Sequence, residues 1–196
     1  DYKWLESIWI RNQFMANSNR TVGKLFSLSS NLPKFLKQFP DSKILYIIRD
    51  PLSVIPSGLS LVTGVLDKRF GFWTLPEEKR GHFINRLYHG LVQLLLRFHS
   101  DWISGKIDKS KVMIVPFDRM MGDFDNLMGE ILEFTNHDPS YELKKDILEA
   151  GDKQRKFKSE HKYDLEKFGL NENQIREDCA PIYKTFIHSS KPEMED

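Results

Sequence analysis

Lys43-Ile44-Leu45-Tyr46-Ile47-Ile48-Arg49-Asp50-Pro51 is an apolar run that ends abruptly in a cation, an acid and a proline. Its β-branched and aromatic residues, bounded by Phe39-Pro40-Asp41 before and Pro51 after, read as a strand buried on both faces of a mainly parallel sheet. Pro51 fits the first position of a helix, where a missing N–H costs nothing. Arg49 therefore sits where a strand passes into a helix. Helix N-termini carry unpaired N–H groups and a partial positive charge, so Arg49, the backbone amides after Asp50 and the Ser57 hydroxyl can converge on a phosphate. Equally, Arg49 can pair with Asp50 or another carboxylate, leaving Ser53 and Ser57 as helix-surface hydroxyls.

On the N-terminal side, Leu5, Ile8, Trp9 and Phe14 fall at helical spacing before the turn Asn17-Ser18-Asn19, and Lys24 to Leu28 reads as a short strand. Ser30 or Asn31 caps a helix that carries Leu32, Phe35 and Leu36 inward. On the C-terminal side, the helix from Pro51 gives way to an irregular loop over 64–75. A long amphipathic helix from Pro76 then aligns Phe83, Leu87, Leu91, Leu94, Leu95, Phe98 and Trp102. Lys111 to Phe117 reads as a third strand, and Asp123 precedes a helix bearing Leu127, Met128, Ile131, Leu132 and Phe134. Alternating strands and helices of this kind imply a three-layer α/β sandwich, with ligands beyond the carboxyl ends of the strands. A further helix runs from Pro139 through Ala150 into the basic stretch 153–162, and a last helix spans Glu172 to Phe186.

Composition narrows the classes. The chain has 196 residues, 40% hydrophobic and 12% aromatic, enough for one packed domain and against disorder. A formal charge of +1 excludes a globally basic nucleic-acid binder. The single cysteine, Cys179, forms no internal disulfide and offers no thiolate cluster for a metal. No apolar stretch is long enough to span a bilayer, and no secretory leader is evident at Asp1, which leans the compartment toward the cytoplasm. The absent initiator Met suggests a processed or truncated product. The sequon Asn19-Arg20-Thr21 matters only in a secretory setting.

Phe39 to Pro51, with Ser57 eight residues after Arg49, resembles the 3′-phosphate-binding segment of the sulfotransferase family, which uses 3′-phosphoadenosine 5′-phosphosulfate (PAPS). Val112 to Phe134 resembles that family's strand, loop and helix of the Tyr-Glu-Asp-Leu type. Lys158-Ser159-Glu160-His161-Lys162-Tyr163-Asp164-Leu165 and the residues through Leu170 resemble a tail of its bacterial-type branch. The likeness covers most of residues 5–186. It implies a P-loop-like sulfotransferase fold in a single, partial domain over 1–196, with a basic segment at 151–170 packed on the domain and a flexible tail at 187–196.

What the resemblance implies for the site is specific. Arg49 and Ser57 bind the 3′-phosphate of PAPS or of the product adenosine 3′,5′-bisphosphate. Lys24 touches the transferring group as a catalytic residue, and Arg155, Lys156 and Lys158 close over the nucleotide. The acceptor is a small-molecule or glycan alcohol or amine, and no metal is needed. Three positions depart from the family pattern. No segment before Lys24 resembles the 5′-phosphosulfate loop, Phe26 stands where cytosolic members carry a catalytic His, and Phe117-Asp118-Arg119-Met120 replaces Tyr-Glu-Asp-Leu. His82, His89 and His99 read as structural rather than as a base. Two alternatives follow from the departures: an inactive sulfotransferase-derived subunit of a larger assembly, with a partner protein supplying or replacing the N-terminal part, or a 3′-phosphate-binding protein without turnover.

Overall fold

The computed structural model describes residues 2–156 and 165–187. The two longest apolar runs form strands β1 (Ile44–Ile48) and β2 (Val112–Pro116), paired in parallel with Ile44 opposite Val112 and Ile48 opposite Pro116. A parallel pair needs a long crossover. Helices α3 (Pro51–Phe70) and α4 (Glu77–Ile103), packed on each other, supply it. Ahead of the sheet lie α1 (Tyr2–Ala16) and α2 (Leu32–Gln38). Beyond it come α5 (Phe117–Gly122), α6 (Phe124–Phe134), α7 (Tyr141–Lys156), α8 (Glu172–Asp178) and α9 (Ala180–Ile182), which runs into a wider turn at Tyr183–Ile187. The architecture is thus mostly helical around a small two-stranded parallel sheet.

The expected strand at Lys24–Leu28 is not formed. Phe26–Asn31 winds into a 3₁₀ turn, and the residues before it run without a ladder partner, with Val22 and Phe26 exposed to solvent. A strand with no neighbour leaves its backbone groups to water, and three serines in this stretch favour a tight turn instead. The expected loop over 64–75 is also largely helix. Gly64 is carried inside α3, which continues to Phe70 and ends at Gly71 in the left-handed region (φ 65°), a conformation glycine adopts without penalty. Nor is the last helix continuous: Cys179 interrupts it, and a second short helix begins at Ala180 with Pro181 in its first turn. Finally, α7 extends to Lys156, so the first part of the basic stretch is helical.

One face of the sheet is sealed and the other is not. Tyr46 stacks on Phe98 of α4 with centroids 3.4 Å apart and rings 6° from parallel, joining a core that holds Ile55, Leu59, Tyr88 and Phe98. The opposite face carries Leu45 and Ile47, which are 39% and 51% exposed, so the reading of β1 as buried on both faces fails at these two residues. Helix α6 covers them only partly, leaving an apolar groove of about 120 Å³ lined by Leu45, Ile47 and Val115 from the sheet and Phe124, Leu127 and Ile131 from the helix. Elsewhere, Trp9 and Tyr2 of α1 pack against Phe35 and Phe39, tying the N-terminal helix down. Phe168, Ile175, Cys179, Ile182 and Phe186 bury the last segment in the main core.

Candidate functional site: the carboxyl ends of the two strands

The register of the sheet builds the site. Partners differ by 68 in number from Ile44↔Val112 to Ile48↔Pro116, so Arg49 and Phe117, the first residue of α5, each follow directly on the last pair. Side chains alternate along a strand, which places Arg49 on the face of Leu45 and Ile47. The guanidinium carbon lies 4.2 Å from the centroid of the Phe117 ring. Arg49 is half-buried, and among the described residues its guanidinium has no hydrogen bond and no ion pair. A planar cation held by an aromatic face, with its N–H groups unspent, is suited to an oxyanion.

Asp50 does not neutralise it. The carboxylate is the N-cap of α3: its Oδ1 accepts the Leu52 N–H at 2.8 Å and also the Tyr183 hydroxyl. The Asp50 carbonyl in turn takes the Ser53 and Val54 N–H groups at 2.8 and 3.0 Å. The expected convergence of backbone amides on an anion is therefore corrected: Pro51 has no N–H, and the three that follow are already bonded to Asp50. Burial, reinforced by the Asp50 hydrogen bond, pushes the Tyr183 phenol up from its ordinary value, so Tyr183 remains a donor near neutral pH. The neighbouring Cys179 thiol is raised to about 11, chiefly by burial and then by Asp178 and Asp50, and is inert.

Among the described residues no direct contact joins the other expected residues to Arg49. Ser57 sits half-buried in the second turn of α3, with no hydrogen bond to its hydroxyl among the described residues. Lys24 is exposed ahead of the 3₁₀ turn, and no hydrogen bond, ion pair or ring contact links it to Arg49 or Ser57. Arg155 in the last turn of α7 is taken by two carboxylates, Nη1 to Asp125 at 2.9 Å and Nη2 to Asp152 at 2.7 Å. Lys156 is exposed beside it, and Lys158 lies outside the described residues. His99 is structural: its Nε2 lies 2.9 Å from Thr185 Oγ1 and its ring meets Phe186 edge-on. Among the described residues no cluster of three or more His, Cys, Asp or Glu can hold a metal, and no helix is long and apolar enough to cross a membrane.

Sequence reasoning missed Phe117 and Tyr183. The first was accessible by aligning the two apolar runs as parallel neighbours, since equal-length strands starting at Ile44 and Val112 bring Arg49 level with Phe117. Tyr183 carries no local signal, because the bond to Asp50 spans 133 residues.

Among characterised proteins and solved structures, neither comparison gives a significant match. A sequence model described as the sulfotransferase family matches residues 4–140, well over half of the chain, and takes in both strands, Arg49 and Phe117. The half-buried arginine at the strand ends lies within the matched region, and the chain belongs to the sulfotransferase family.

Proposed function

We propose that this chain uses PAPS to sulfate an alcohol or amine on a small-molecule or glycan acceptor, holding the donor's 3′-phosphate at Arg49. The observation that carries this reading is the Arg49 guanidinium at the carboxyl end of β1, cushioned by Phe117 and without a carboxylate partner among the described residues. PAPS supplies the sulfuryl group and leaves as adenosine 3′,5′-bisphosphate. Arg49 offers a bidentate fork to one phosphate, and Ser57 a neutral donor. Lys24 brings positive charge to the bridging oxygen as the acceptor oxygen or nitrogen bonds to sulfur, the bond from sulfur to the bridging oxygen breaks, and the acceptor's proton passes to water. Lys156 and Lys158 add cations above the nucleotide. Arg155 joins them only by exchanging Asp152 or Asp125 for phosphate. In this reading the two strands are part of a three-layer sulfotransferase sheet.

Calorimetric titration with adenosine 3′,5′-bisphosphate, paired with transfer of labelled sulfate from PAPS to a panel of alcohols and amines, tests the proposal. Binding that disappears in Arg49→Ala, together with transfer, is the expected result. Binding without transfer makes the chain a 3′-phosphate-binding protein, and neither makes it a sulfotransferase-derived structural subunit.

A further inference from the structure

We infer that Phe117 is a positioning residue for Arg49, holding the guanidinium plane for the phosphate through its aromatic face rather than merely filling space. The inference rests on the reading of Arg49 as the 3′-phosphate residue. The starting observation is that Arg49 and Phe117, the latter opening α5, each follow directly on the last ladder pair, Ile48↔Pro116. The 4.2 Å separation of guanidinium and ring centroid is the contact that follows.

Three other arginines of this chain are held by carboxylates instead. Arg97 is bonded to Asp101 at 2.9 Å, Arg119 to Asp123 and Glu130 at 2.7 Å each, and Arg155 to Asp125 and Asp152. A carboxylate fixes an arginine firmly but occupies the same N–H fork that a phosphate needs. A ring below the plane fixes the arginine while occupying none of its five donors. Restricting a long side chain before the ligand arrives lowers the ordering cost at binding. An aliphatic residue of similar volume fills the space at 117 but has no π-face to hold the cation.

The two roles predict different orders of effect. If Phe117 only packs, affinity follows stability, and Leu or Met at this position is tolerated better than the larger Trp. If it positions Arg49, affinity follows the aromatic face, with Trp and Tyr at least as good as Phe and with Leu and Met poor. We therefore expect Phe117→Leu and Phe117→Met to weaken adenosine 3′,5′-bisphosphate binding about tenfold. Phe117→Tyr and Phe117→Trp should stay within about threefold of wild type, whatever the melting temperature of each. The Arg49 side-chain Nε–H resonance, identified by its loss in Arg49→Lys, is expected upfield from the ring current in the wild type, Tyr and Trp proteins and to move downfield in Leu and Met.

Wild-type affinity in Phe117→Leu or Phe117→Met, or affinity that tracks melting temperature across the four variants, overturns the positioning role and leaves the functional reading standing. Absence of bisphosphate binding by the wild-type protein overturns the functional reading, and the positioning role with it.

Discussion

Arg49 and Arg155 are both arginines at the end of a regular element, yet one is cushioned and the other is neutralised. Arg49 rests on Phe117 at the end of β1 with its donors unspent among the described residues. Arg155, in the last turn of α7, divides its donors between Asp125 and Asp152. The corner around Arg155 is also crowded. Gly151 is buried against Asp125, whose Oδ1 has no hydrogen-bond partner among the described residues, and a Cβ at 151 would stand 2.5 Å from that oxygen and 3.3 Å from Phe124. The difference separates two uses of one residue type. A guanidinium that must first surrender a carboxylate gains little from a phosphate, whereas one held by a ring gains the whole charge-assisted bond.

The largest effect that can break this comparison is on ligand binding. Arg49→Ala is expected to weaken adenosine 3′,5′-bisphosphate by at least about 100-fold, on the order of 3 kcal/mol for a lost bidentate pair, while the melting temperature scarcely moves. Arg155→Ala should do the reverse, lowering the melting temperature slightly, as expected for a solvent-screened ion pair, and changing affinity less than tenfold. Calorimetry and thermal unfolding on the two variants decide it. A larger affinity loss at Arg155 than at Arg49 reverses the assignment.

The next effect concerns the corner alone. Gly151→Ala gains helix propensity of about 1 kcal/mol but drives Cβ into Asp125, so a net destabilisation of about 1–2 kcal/mol is expected from overpacking. In an Asp125→Ala background the same substitution should become neutral or stabilising, because the oxygen it meets is gone. Chemical denaturation of the four proteins of this cycle measures the coupling. Additive effects would show that the close approach of Gly151 to Asp125 is not what makes the corner tight.

At the strand end the corresponding test is Tyr183→Phe. It removes one hydrogen bond to Asp50, worth about 1 kcal/mol of stability, and frees that carboxylate to turn from the helix toward Arg49. A several-fold fall in bisphosphate affinity is expected beside the stability loss. Unchanged affinity would mean that Asp50 stays on the Leu52 N–H without help from Tyr183.

The two apolar runs were legible because parallel strands read as continuous hydrophobic segments, and α4 because Phe83, Leu87, Leu91, Leu94, Leu95, Phe98 and Trp102 recur at helical spacing, although the buried stripe runs through Ile84, Tyr88, Leu91, Leu95 and Phe98. Arg49 was legible for a local reason: its charge follows the strand directly. What escaped was long-range. Lys24–Leu28 has strand-like composition, but whether a ladder partner exists is a tertiary fact. Gly64 looks like a breaker and costs only about 1 kcal/mol inside a helix, a cost the packing of Ile55, Leu59 and Thr63 overrides. Asp101 of α4 is 1% exposed, bonded to Arg97 with Lys106 3.8 Å away, a burial that no local feature of the sequence announces. Arg155 looked available because nothing in the sequence shows that Asp125, thirty residues earlier, folds against it.

The smallest effect uses pH to tell the two regions apart. His99, bonded to Thr185, is held below its ordinary 6.5 by burial, so the unfolded chain takes up a proton at a higher pH than the folded chain does. Stability is then complete above about pH 6.5 and declines below it. The corner carboxylates run the other way in cause and lower in window. Arg119 depresses Asp123 and Glu130, and Arg155 depresses Asp152, so their contribution is present above the ordinary values of 3.8 and 4.5 and is lost as pH falls through them. Thermal unfolding from pH 8 to 3 should accordingly show two modest declines. His99→Gln is expected to flatten only the upper one, and Arg119→Gln only the lower. The ring beneath Arg49 does not titrate, so neither decline should carry away the contact between Arg49 and Phe117 until the fold itself opens. Loss of the Arg49 side-chain signal in the upper window, with the protein still folded, would show that the cushion depends on an ionised group after all.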